Sequence, residues 1–143
     1  MAAPETWAFA SVENRMAERS ASCHHAAVTT VLIVDDHPSF RASARALLQA
    51  EGFDVVGEAE DGESALVAAR ELDPELVLLD VQLPDIDGFE VASRLKGSGS
   101  TANIVLTSSR EGCDFGARIV DSGARGFVTK AELSGAALVA LLP

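Results

Sequence analysis

Four apolar runs in this 143-residue sequence are followed directly by acids, hydroxyls or an amine. Asp35-Asp36 follows Val31-Leu32-Ile33-Val34, and Asp80 follows Leu76-Val77-Leu78-Leu79. Thr107-Ser108-Ser109 follows Ile104-Val105-Leu106, and Thr129-Lys130 follows Phe127-Val128. Brought to one place, three carboxylates repel one another, and burial raises the cost. Something cationic belongs among them. Mg²⁺ suits, because it takes hard oxygen ligands, usually one or two carboxylates with water and phosphate supplying the rest. Lys130 offers a second, fixed cation. A metal, an ammonium and a hydroxyl such as that of Thr107, set around a carboxylate, can hold a phosphoryl group. The carboxylate can itself be the nucleophile and become an aspartyl phosphate. Taken singly, each residue also has a plain reading. Asp35 or Asp36 would cap a helix that opens at Pro38, Lys130 would be a surface lysine, and Thr107 an ordinary strand residue.

The elements that must position these residues follow from the apolar periodicity. The four runs and the weaker Val55-Val56 are short and largely β-branched, as strands buried on both faces are. Val55-Val56 suits a sheet edge. Between the runs the spacing is helical: Phe40, Ala44, Leu47 and Leu48, closed by Gly52; Leu66, Ala69 and Leu72, opened near Asp61 and closed before Pro74. A third helix carries Val91, Ala92 and Leu95 and ends at Gly97-Ser98-Gly99-Ser100. A fourth carries Phe115, Ile119 and Val120 and ends near Gly123. A fifth carries Leu133, Ala137, Ala140 and Leu141. Alternation of this kind predicts a single (βα)5 domain, a doubly wound parallel sheet with helices on both faces. Ligands of such sheets sit outside the carboxyl ends of the strands, where all the residues above would meet.

Composition excludes several functions. Eleven basic against 22 acidic residues give a formal charge of −11, a poor match to nucleic acid. The chain is 48% apolar and 23% charged, as globular domains are. It has no run of about 18 apolar residues to span a membrane. Two cysteines, Cys23 and Cys113, make no disulfide framework and fit a reducing cytoplasm. Residues 1–28 lack the basic region and apolar run of a secretory signal and read as a disordered or weakly helical extension, with Met16 as an alternative start. Cys23, His24 and His25 supply three metal-ligand types, but no second motif completes a site. Cys113 is expected to pack, inert, at the start of the fourth helix.

Val31-Leu32-Ile33-Val34-Asp35-Asp36-His37-Pro38 resembles the opening of bacterial two-component response-regulator receiver domains. Leu79-Asp80-Val81-Gln82-Leu83-Pro84-Asp85-Ile86-Asp87-Gly88 looks like their phosphoacceptor loop. Gly123-Ala124-Arg125-Gly126-Phe127-Val128-Thr129-Lys130 is similar to their fifth strand and lysine segment. The resemblance spans roughly residues 29–142 and makes 29–143 the receiver domain. It implies the flavodoxin-like strand order 2-1-3-4-5, with Asp80 as phosphoacceptor. Asp36, Asp80 and the backbone carbonyl of Gln82 would bind Mg²⁺, with Asp35 acting through water. Thr107 and Lys130 would each take a phosphoryl oxygen, and Thr107 with Phe127 would form the switch. The plain reading of Phe127 is a core aromatic. Lacking the tyrosine hydroxyl, it would have to switch by packing. The Gln82 side chain would orient attacking water, or else be a solvated loop residue.

The implied donor is a sensor histidine kinase. The implied output is an unidentified downstream protein, or a homodimer of the phosphorylated form. The domain would be a signalling module that assists its own phosphorylation and dephosphorylation. Ala131 stands where many members have proline after the lysine. The segments around His37-Pro38 and Gly126-Phe127 look most like regulators with a helix-turn-helix output. The residues up to Pro143 leave no room for one, so DNA binding is not expected from this chain. A phosphate-independent receiver-fold scaffold is the main alternative. An aspartate-nucleophile phosphatase would need an acid at position 82, where Gln82 stands, and a cap domain. A flavodoxin would need a Ser/Thr/Gly-rich phosphate loop in place of Asp35-Asp36.

Overall fold

The computed structural model describes residues 28–109 and 115–143. Five strands, β1 (Thr30–Val34), β2 (Asp54–Ala59), β3 (Leu76–Asp80), β4 (Asn103–Ser108) and β5 (Gly126–Thr129), form one sheet in the order β2-β1-β3-β4-β5. Every pairing is parallel. The helices are α1 (Pro38–Ala50), α2 (Gly62–Leu72), α3 (Gly88–Gly97), α4 (Ala117–Asp121) and α5 (Gly135–Leu141), with a 3₁₀ turn at Lys130–Glu132.

Side chains alternate across a strand, and the core divides accordingly. Leu32 and Val34 of β1 pack with Ala65 and Ala69 of α2 and Val91, Ala92 and Leu95 of α3. Val31 and Ile33 face the other way, onto Ala44 and Leu48 of α1 and Leu138 of α5. Helices thus cover both faces, as the alternating pattern requires. Strand β2 is an edge strand, as its short apolar run suggests, and its register against β1 slips between Val31 and Leu32.

The helix ends follow local chemistry. Asp61 opens α2 with a capping box: its side chain accepts from the Ser64 N–H, while Ser64 returns to the Asp61 N–H. Asp87 and Ser134 cap α3 and α5 in the same sense. Gly52, at φ +94°, turns the chain out of α1 in a conformation that disfavours a side chain.

Two helices depart from expectation. Phe115 precedes α4 instead of lying on it, and Val120 is 76% exposed instead of buried. The cause is local: i→i+3 bonds from Arg118 to Phe115 and from Ile119 to Gly116 wind this segment tightly, and a five-residue helix presents only one residue, Ile119, inward. In the last segment the helix begins only after Ser134. Leu133 therefore packs from the preceding turn, Leu138 becomes the fully buried residue, and Ala140 is exposed. The expectations for residues 1–27, including Cys23, His24 and His25, and for Cys113 fall outside the described residues.

Candidate functional site

Parallel register fixes which side chains meet. Val34 pairs with Ala59 and Leu79, Asp80 with Thr107, and Ser108 with Thr129. The residues beyond those pairs leave the sheet on one edge. There one ligand atom each from Asp35, Asp36, His37 and Asp80 lies within 4.8 Å of the others. Asp35 is completely buried and Asp80 is 3% exposed, whereas Asp36 and His37 face solvent.

Asp35 does not cap α1. His37 occupies the N-cap position without a side-chain cap, and Asp35 Oδ1 instead accepts the His37 backbone N–H at 2.8 Å. The Arg41 guanidinium donates to the Asp35 carbonyl at 2.6 Å, anchoring the first turn of α1 beneath the acids. Lys130 is no free surface lysine. Its Nζ lies 2.6 Å from Asp35 Oδ2 and 3.4 Å from Asp80 Oδ2. The ammonium is thus held closest to Asp35 and also hydrogen-bonds Asp80. The same ammonium sits 4.5 Å above the Phe40 ring.

Burial, reinforced by the nearby Asp35 charge, pushes the Asp80 carboxyl up to about 6, against the Gln82 N–H at 3.2 Å and Lys130. Burial works against the Lys130 charge, but Asp35 and Asp80 outweigh it and hold its pKa above the ordinary value. Behind Asp80 the chain has no room for a side chain at Gly88. A Cβ there would stand 2.3 Å from the Asp80 carbonyl oxygen, so glycine lets α3 begin against the strand end.

Thr107 is completely buried, and its hydroxyl has no hydrogen-bond partner among the described residues. Such an orphan is costly unless something polar reaches it. Phe127 is half-buried and stacks on Phe115 at 5.6 Å, which stacks on Phe89 at 5.5 Å. Gln82 is exposed. Sequence reasoning thus named five of the residues that meet at this edge, and missed three that support them. His37 was visible only as the neighbour of the acid pair. Phe40 and Arg41 lie on the first turn of α1, where their spacing marks a core face and a solvated face rather than a site.

The donor set fits a hard divalent ion. Three carboxylates stand against one ammonium, and the buried, unpartnered Thr107 hydroxyl is available to an incoming oxygen.

The response regulator receiver domain family matches residues 31–142. The regulator BvgA of Bordetella pertussis, described as a transcription regulator of virulence factors, is 43% identical over 102 residues, 71% of this chain and 49% of BvgA. The response regulator GacA of Pseudomonas aeruginosa is 42% identical over 101 residues, 70% of this chain and 47% of GacA. The chain thus spans about half the length of the curated relatives it matches. Among solved structures, the signal receiver domain of NarL from Mycobacterium tuberculosis superposes with a TM-score of 0.72 at 31% identity, covering 81% of this chain and 98% of that one. A complex of CheX with CheY, BeF₃ and Mg²⁺ from Borrelia burgdorferi gives 0.70 at 25% identity, covering 79% and 85%. Among the described residues no helix is long and apolar enough to cross a membrane. With sheet order, acid edge and sequence match in agreement, this chain belongs to the response-regulator receiver family.

Proposed function

We propose that this receiver is phosphorylated on Asp80 by the phosphohistidine of a sensor histidine kinase in the cytoplasm, with Mg²⁺ bound at the acid edge. The observation that carries this reading is the meeting of Asp35, Asp36 and Asp80 within 4.8 Å, with Lys130 across two of them. A carboxylate oxygen of Asp80 attacks phosphorus, the P–N bond to the donor imidazole breaks, and its electron pair stays on that ring. The product is an acyl phosphate.

Asp36, Asp80 and the Gln82 carbonyl would hold Mg²⁺, with Asp35 acting through water. The ion would neutralise charge on the phosphoryl oxygens. Lys130 is held at the site by Asp35 and is free to pair with a phosphoryl oxygen as the Asp80 carboxylate charge is spent. Thr107 turns its unpartnered hydroxyl to another oxygen. Its movement opens space for Phe127, and repacking passes through Phe115 toward the exposed Val120 of α4. A downstream protein, or a second phosphorylated copy, would read that face. The relatives' roles in transcription suggest the kind of pathway.

The test is intact mass after incubation with acetyl phosphate and Mg²⁺, beside Asp80→Ala. The expected result is one phosphoryl group on the wild type and none on the variant. Uptake that survives the substitution would move the site elsewhere. No uptake from acetyl phosphate or from a phosphorylated kinase would favour the phosphate-independent scaffold.

A further inference from the structure

We propose that His37 is a nitrogen ligand of the divalent-ion site, making it favour first-row transition ions over Mg²⁺. This rests on the metal-site reading above and adds a residue that carboxylate chemistry alone does not require.

Geometry points to it. His37 Nδ1 lies 3.1 Å from Asp35 Oδ1 and 3.1 Å from Asp36 Oδ1. Neighbouring ligands on an octahedral ion with bonds of about 2.1 Å are about 3.0 Å apart. The nitrogen therefore already stands at ligand spacing from Asp36 Oδ1, the direct ligand, while its contact with Asp35 Oδ1 is a hydrogen bond that an ion would replace. The residue is pinned there by its backbone N–H on Asp35 Oδ1, at 2.8 Å. Its side chain is 64% exposed, so the ring can adjust without displacing the core. Among the described residues the other acids of the cluster are Asp35 and Asp80, both buried, and with Asp36 their three carboxylates exceed the single charge of Lys130. Imidazole suits cobalt, nickel and zinc, whereas Mg²⁺ prefers oxygen donors and water.

The chain has three histidines, and the other two, His24 and His25, lie beside Cys23. The experiment therefore uses the full chain with Cys23→Ser, His24→Ala and His25→Ala, which leaves His37 as its only imidazole. Two measurements are made: calorimetric titration with Co²⁺ and with Mg²⁺, and electron spin-echo modulation of bound Mn²⁺. The expected result is ¹⁴N modulation from imidazole that disappears in His37→Ala. Co²⁺ affinity should fall at least about tenfold in that variant, with a much smaller change for Mg²⁺. Circular dichroism checks that it folds. Asp36→Ala should abolish binding of both ions. If His37→Ala leaves the modulation and the Co²⁺/Mg²⁺ ratio unchanged while Asp36→Ala still abolishes binding, the site reading stands and the role of His37 is overturned. If neither ion binds the parent, both fail.

Discussion

Helix α3, which follows Asp80, buries Gly88, Phe89, Val91, Ala92 and Leu95; α4, which follows Thr107 in the chain, buries none of its five residues completely. The same contrast runs along the functional edge. The acids and Lys130 are tied to one another, to backbone and to the first turn of α1. On the other side Thr107 has a buried hydroxyl with no partner among the described residues, and Phe127 rests on a row of tilted rings. What docks α4 is Ile119, the stacking of Phe115, and an exposed arginine: Arg118 reaches Asp87 at 3.0 Å and lies 4.2 Å over Phe89. Elements with little buried apolar surface open at low free energy. The groups that would do the chemistry therefore stand on the firmly packed half, and the groups that would report it stand on the loosely held half.

The largest effect should come from the packed half. Lys130→Ala removes the fixed cation, and the rate of phosphoryl uptake from acetyl phosphate should fall at least about a hundredfold. The same variant leaves Asp35 and Asp80 facing each other, so in metal-free buffer it should lose about 2–3 kcal/mol of stability in urea melts. Added Mg²⁺ should recover part of that loss. Stability unaffected by the substitution would mean that Lys130 does not balance the acids.

Asp80 carries the next effect, and it depends on pH. Its folded pKa of about 6 lies above the ordinary 3.8, so the folded state holds this proton more tightly than the unfolded chain does. The contribution to metal-free stability is full below about 3.8 and is lost as pH rises through about 6. Asp80→Asn should therefore raise metal-free stability at pH 7 by roughly 2 kcal/mol relative to wild type and flatten the curve across this window. A difference between the two proteins that does not change with pH would contradict the assignment.

Two smaller effects probe the loosely held half. Thr107→Val removes an unpartnered hydroxyl at nearly constant volume, so it should leave stability unchanged or raise it by about 1 kcal/mol while slowing phosphoryl uptake. A loss of stability above that size would reveal a partner for the hydroxyl. Arg118→Ala should cost no more than about 1 kcal/mol globally, because the ion pair is exposed and the ring contact lies at the rim. It should nonetheless speed amide exchange in α4 more than in α3, and equal effects on both helices would erase the contrast.

The elements were legible because their signals are local. Asp61 three residues before Ser64, Gly52 after Leu48 and the acids behind apolar runs each act within one turn of chain. Helices α4 and α5 were misread for the opposite reason. Their apolar residues recur at helical spacing, but Gly116 and Ser134 set where each helix begins, and that start decides whether Val120, Leu138 or Ala140 turns inward.

By itself the sequence determined that five short apolar runs alternate with helical stretches. A parallel sheet then follows, since each strand can return to its neighbour only by way of a helix. Parallel strands place their carboxyl ends on one edge, so Asp35, Asp36, Asp80, Thr107 and Lys130 had to be neighbours. Only the tertiary structure decided which of those neighbours touch. Lys130 lies closer to Asp35 than to the candidate phosphoacceptor Asp80, Phe40 lies beneath its ammonium, and His37 stands between two acids. The Lys130 contacts depend on differences of an ångström between side chains far apart in the chain. Periodicity brings the groups to the same edge, and packing sets their distances.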